Sequence, residues 1–322
     1  MRAVHLWIAL GLLVVGSYLS LGIGAASSVG VADLFPPTAQ EWHILATSRI
    51  PRLMAVLMAG ASLSVAGLIM QRITANRFVS PSTSGTVEAA VLGILISTML
   101  FSSTSLVVKM LIAIVTAIAG TMVFLQMLQR IQHREGIVVA LVGLMYGGVL
   151  AAITTFVAYQ RDLVQYLDIW TTGSFSGILE GRYEPLYTVL VVGVVGYLFA
   201  DRFTVIGMGE SFATNLGLNY QRILYIGLVV VSVMAAVVVV VVGAIPFLGL
   251  IVPNVVTLLL GDNVRKVLPL TALAGAGFVL ACDVVGRVLI HPYELPVATI
   301  AGAIGGVVFI WLILRSAKGA TV

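Results

Sequence analysis

Apolar residues run along this chain in long blocks, and polar residues break them in short clusters. Bounding each block by charge, proline or glycine gives ten stretches: 3–24, 51–71, 86–101, 106–128, 137–159, 185–201, 221–243, 247–260, 267–289 and 296–315. A helix needs about 20 apolar residues to cross a bilayer, so the pattern predicts an all-α membrane protein. It has about ten transmembrane helices in a single domain over 1–322. The valine run at 237–242 favours strand in water, but within lipid a helix satisfies its backbone. Span 86–101 is short and contains Glu88; span 247–260 is short and contains Pro253, where a kink is expected. The first block is longer than the apolar core of a signal peptide and is read as a retained helix.

Ten spans place both termini on one side of the membrane. That side holds Arg2, Arg72, Arg77, Arg130, Arg134, Arg202, Arg222, Arg265, Lys266, Arg315 and Lys318. The other holds Arg49, Arg52, Lys109, Arg161, Arg182 and Arg287, a split of eleven to six. Basic residues gather on the cytoplasmic side, so both termini are expected there. Residues 25–48 and 160–184 become external loops, and 202–220 a cytoplasmic one.

Composition supports this reading. The chain has 322 residues, 60% hydrophobic and 9% charged, with a mean hydropathy of +1.12. Soluble domains carry about 25% charged residues, so a soluble enzyme is excluded, as is a disordered chain. The formal charge of +4 speaks to topology and lipid headgroups and not to nucleic acid. A single cysteine, Cys282, excludes an internal disulfide. Four scattered histidines give no metal cluster. No GxxxxGK[ST] loop and no nucleophile–base pair occurs, so ATP hydrolysis would need another chain. Many of the 33 glycines sit inside spans, including Gly60, Gly67, Gly143 and Gly147. Small residues let helices approach closely in lipid; packing within the chain, a subunit interface and a path lining all fit.

Four groups of residues carry candidate chemistry. Arg49-Ile50-Pro51-Arg52 opens the second span from outside, and Arg287 stands near the external end of the ninth. They read either as arginines snorkelling to headgroups or as a docking surface for a partner's carboxylates. The polar stretch from Gln71 to Glu88 lies between two spans. Glu88 reads as the wall or gate of a permeation path or as an acid pairing with a helix N-terminus. Asp283 is expected to pair with Arg287, four residues on. In the segment 207–218, Gly209 caps, Glu210 favours a first turn and Gly217 terminates, which predicts a short helix outside the membrane. Phe212 and Leu216 then share a face, either tucked on the bundle or presented to a cytoplasmic partner.

Several motifs in order resemble the FecCD family, the permease subunits of type II ABC importers for iron–siderophores, haem and vitamin B12. They are RIPR at 49–52, GLIMQRITANRFVSPSTSGT at 67–86, GESFATNLGL at 209–218, GAIPFLGLIVPNVVTLLLGDNVRKVLPL at 243–270 and ELPVATIAGAIGGVVFIWLI at 294–313. The NRFVSPSTSGT form is similar to permeases for catecholate-type ferric siderophores. The resemblance implies ten helices per subunit, in a multi-pass protein of the bacterial cytoplasmic membrane. It implies a second permease subunit, identical or not, two cytoplasmic ATPase subunits and an extracytoplasmic binding protein. No cofactor belongs to this chain; ATP and Mg would sit on the ATPase. Arg49, Arg52 and Arg287 match arginines that dock the binding protein. Gly209, Glu210, Ser211, Phe212, Ala213, Asn215, Leu216 and Gly217 match the segment that couples to the ATPase. Ser80, Pro81, Ser84, Gly85, Thr86, Glu88, Gly143, Tyr146 and Gly147 match the path and gate. An acid at Glu88 departs from the family pattern. The implied function is import of ferric siderophore without covalent chemistry. The alternatives are haem or vitamin B12 as cargo, or an ion-coupled secondary transporter using Glu88 and Asp283.

Overall fold

A computed structural model of the chain describes residues 2–24, 30, 37–101, 105–131 and 136–319. Arg134 and much of the loop expected over 25–48 lie outside the described residues. Among those described, the chain is all helical, with one isolated bridge between Ile290 and Tyr293.

The helices are α1 (Arg2–Gly22), α2 (Ala39–Ile44), α3 (Ile50–Ile73), α4 (Thr86–Leu100), α5 (Leu106–Arg130), α6 (Gly136–Gln160) and α7 (Val164–Thr171). They continue with α8 (Tyr187–Leu198), α9 (Ala200–Ile206), α10 (Glu210–Asn215), α11 (Tyr220–Val241), α12 (Leu248–Leu260), α13 (Val264–Val288) and α14 (Val297–Gly319). Among the described residues, six helical runs are long and apolar enough to cross a membrane, and a seventh span appears if α8 and α9, bent by 60°, are taken together. Three shorter apolar helices, Thr86–Leu100, Leu248–Leu260 and Val297–Leu312, fall on the remaining apolar stretches.

The expected loops carry more helix than the hydropathy pattern predicts. The run into the second span begins at Ala39, because Thr38 and Glu41 form a capping box. The Thr38 amide donates to Glu41 Oε2 at 2.6 Å, and the Glu41 amide to Thr38 Oγ1 at 3.4 Å. A π-helical turn, Leu45–Arg49, joins α2 to α3. The expected external loop 160–184 holds α7.

Helix α3 is the axis of the bundle, and most of its residues from Ala55 to Ile73 are buried. Its small residues make this possible. A Cβ on Gly60 would fall 2.5 Å from the Gly275 carbonyl oxygen of α13 and 2.9 Å from the Ala276 Cα. A Cβ on Gly67 would overlap the Gly249 carbonyl of α12. That carbonyl lacks its helical donor, because Pro253 stands four residues on inside α12. The carbonyl that the proline frees and the glycine therefore meet at one place. Helix α11 is the other deeply buried element, with buried residues along its length from Ile223 to Val240. Helices α1, α5 and α6 turn rows of exposed leucine, isoleucine, valine and methionine outward, as lipid contact requires.

The close approach gives a first test. Gly67→Ala forces α3 from α12 and is expected to destabilise by about 1–3 kcal/mol, seen as a lower melting temperature in detergent. Gly148→Ala is the control, since a Cβ there meets nothing within 4 Å. Equal melting of the two variants would contradict the packing argument.

Candidate functional site

Three polar regions lie along the bundle. At one end, the C-terminal turn of α1 leaves carbonyls without helical donors, and two arginines supply them. Arg287 donates to the carbonyl of Ser20 at 2.9 Å, and also to the Ile23 carbonyl and the Ser20 hydroxyl. Arg49 donates to the Leu21 carbonyl. Cations at a helix C-terminus also meet the negative end of its dipole. Arg52 reaches from the first turn of α3 to Asp283 Oδ1 on α13, at 2.9 Å, and to Glu294 at 2.8 Å in the segment before α14. Arg287 Nη2 lies 2.9 Å from Asp283 Oδ2, a charge contact without hydrogen-bond alignment.

The expected Asp283–Arg287 pair is therefore present. All three expected docking arginines make contacts within their own chain. Arg287 is 6% exposed and the Arg52 side chain 16% exposed, both held by acids and carbonyls of their own chain. The sequence places these arginines at the right span ends, but it does not show that Asp283, Glu294 and the end of α1 converge on them.

The second region is the turn between α3 and α4. Pro81 starts a short 3-10 turn, closed by the Ser80 amide on Thr83 Oγ1 at 2.8 Å, and Gly85 leaves it with φ +76°. A side chain is strained in that conformation, and a Cβ there would also lie 2.6 Å from the Tyr146 ring. Tyr146 donates to the Gly120 carbonyl at 3.0 Å, and Gly143 passes against the Thr83 carbonyl. A hydroxyl chain runs from Ser84 to Thr86 (3.0 Å), Thr121 (2.7 Å) and, from Thr121, to Ser232 (3.2 Å), tying the turn to α5 and α11. In lipid such hydroxyl contacts hold helices together.

All nine expected path residues thus meet here, but Ser80, Pro81, Ser84, Gly85, Thr86, Gly143 and Gly147 are buried packing. Their short side chains are consumed in the close crossing of α6 over the turn. Glu88 differs. It stands in the first turn of α4 and borders two cavities, of about 350 and about 180 Å³. The cavity walls also bring in Ser82, Thr154, Thr155, Thr171, Thr172 and Thr299, none of them named individually among the expected path residues. Ser82 and Thr299 lie inside motifs that carry the resemblance, whereas Thr171 and Thr172 lie in the expected external loop.

The third region is at the opposite end. Helix α10 forms as expected, with Gly209 before it (φ +108°) and Gly217 after it (φ +79°). Leu218 N–H bonds to the Ala213 carbonyl at 3.1 Å and Gly217 N–H to that of Thr214 at 2.9 Å, a complete Schellman stop. Ala213 is buried, while Met208, Phe212 and Leu216 are 62, 43 and 59% exposed. The helix therefore presents its apolar face. Beneath it, Asp262 accepts from Arg72 at 2.9 Å and Arg77 at 3.0 Å. Burial resists ionisation of Asp262, but the hydrogen bonds and charges of Arg72 and Arg77 outweigh it and hold the carboxyl below its ordinary range.

Among the described residues, no group of three His, Cys, Asp or Glu is placed to hold a metal ion. The FecCD transport family matches residues 12–315 of this sequence. The chain belongs to the FecCD transport family. It is 47% identical over 304 residues, 94% of this chain and 96% of its relative, to the petrobactin import system permease protein YclN of Bacillus subtilis. It is 41% identical to the ferric-anguibactin transport system permease protein FatD of Vibrio anguillarum, over 88% of this chain and 90% of that one. Its fold matches a solved inward-facing conformation of a metal-chelate type ABC transporter with TM-score 0.80, at 24% identity, over 98% of this chain and 100% of that one. As a FecCD protein the chain is a multi-pass membrane protein of a transport family, in accord with its apolar helices.

The arginine cluster gives a second test. Asp283→Asn leaves two buried guanidiniums short of a counter-charge, which costs about 3–5 kcal/mol. The double variant Asp283→Asn, Arg287→Met is expected to lose less than the sum of its single variants. Thermal melting in detergent checks it, and strict additivity would exclude the coupling.

Proposed function

We propose that this chain is the permease subunit of an ATP-driven importer that carries ferric siderophore into the cytoplasm. The observation that carries this reading is near-full-length similarity to permeases named for petrobactin and ferric-anguibactin, at 47 and 41% identity. In this reading the three short apolar helices and the bent α8–α9 pair join the six long runs, giving ten spans with both termini cytoplasmic. A second permease subunit, two ATPase subunits and a binding protein complete the assembly. The chain itself performs no covalent step, and ATP and Mg belong to the ATPase.

Helix α10 is the coupling element. Its glycine-bounded ends fix its direction, and its exposed Met208, Phe212 and Leu216 suit an apolar groove on the ATPase. Docking of the binding protein falls to Arg49 and Arg52 at the opposite end, while Arg287 holds the end of α1 beneath them. The substrate passes along the region of Glu88 and the α4–α6 crossing.

Reconstitution with partner chains tests the reading. Uptake of labelled ferric siderophore is expected to require ATP and the binding protein. Uptake that survives ATPase loss and collapses with an ion gradient would establish a secondary transporter instead. Within the assembly, Phe212→Ser removes an apolar anchor worth about 2 kcal/mol or more. ATP-driven uptake is expected to fall about tenfold or more, with the melting temperature unchanged. Wild-type uptake by this variant would remove the coupling role.

A further inference from the structure

Asp283 within α13 is paired with Arg52 and Arg287, but Glu88 within α4 stands apart from any base. Its Oε2 is buried with no hydrogen-bond partner in the protein. Among the described residues no ion pair includes it, and neither cavity it borders is lined by Lys, Arg or His. Across from it stands Gly147, where even a Cβ would lie only 3.4 Å from Oε2. The carboxylate thus packs closely against the α6 backbone at Gly147, with no side chain there to donate to it. Around it the cavities supply hydroxyls: Ser82, Thr171 and Thr299 in the larger, Thr154, Thr155 and again Thr171 in the smaller.

An unpaired carboxylate at membrane depth is costly, and such residues mark substrate pathways. A partner from outside the protein relieves that cost. A bare metal ion fits poorly, since hard cations take six or more oxygen ligands, several of them charged. A protonated amine fits well: it carries three N–H donors, which match one carboxylate with flanking hydroxyls. The same lone negative charge repels an anionic chelate.

We propose that Glu88 and its two hydroxyl-lined cavities form a binding site for a protonated amine on the transported chelate, selecting amine-bearing over anionic cargo. This rests on the permease reading above. The site deepens that reading by naming the chemical class of its cargo and the residue that discriminates.

The test uses the assembled importer and two ferric chelates of one scaffold, with a free amine and with that amine acetylated. Wild type is expected to transport the amine form faster. Glu88→Gln is expected to lower the ratio of the two rates about tenfold, the effect of one charge-assisted hydrogen bond. Glu88→Asp should keep the preference, and Glu88→Lys should invert it. Each variant carries its own control, because both chelates are measured on the same protein. An unchanged ratio in Glu88→Gln, or no preference in wild type, would overturn the amine site while leaving the permease reading intact. Wild-type uptake of neither chelate under ATP would overturn the permease reading and the site with it.

Discussion

The close approach of α3 to α12 and α13 is the constraint on which the rest of the structure hangs. In lipid, no hydrophobic force draws one helix to another, so contact depends on how near backbones can come. Gly60 and Gly67 on one side, and Gly275 and Gly249 on the other, remove the side chains that would hold them apart. This fixes α3 within the bundle, and with it the reach of Arg52 to Asp283 on α13. It also places the turn that follows α3, and so α4 and Glu88.

Charge is handled differently at the two ends. At the Arg52 end, three arginines, two acids and the carbonyl end of α1 neutralise one another. A buried ion cluster of this kind is held by completeness: removing one member strands another. At the α10 end, the ion pairs of Asp262 with Arg72 and Arg77 are partly exposed, and such pairs are individually weak. They lie beside Gly207 and Met208, in the segment that leads into α10. One end therefore holds its charged groups in contacts within the chain, and the other turns an apolar face outward. Glu88 lies outside both arrangements, a single carboxyl among hydroxyls.

Much of this was legible in the chain alone. Hydropathy located every long apolar helix, because lipid imposes helix on any apolar run that crosses it. Glycine spacing located α10, because Gly209 and Gly217 take positive φ at its two ends. The Asp283–Arg287 pair followed from a four-residue spacing on one helix. All of these are local rules, and local rules can be read from sequence.

What tertiary structure decided is what becomes of the polar groups once distant segments meet. Arg49 and Arg287 read as surface cations until the end of α1, more than two hundred residues from Arg287, arrives to accept their hydrogen bonds. Ser80, Ser84 and Thr86, matched by resemblance to a path and gate, are buried in the fold. Thr154, Thr171 and Thr299 come from three separate segments, and only the fold gathers them on the cavities they share with Glu88. Sequence determined the helices and their charges, because backbone satisfaction in lipid is a local requirement. Only the fold decided which charges are spent and which remain available, because pairing depends on side chains that the chain brings together from far apart.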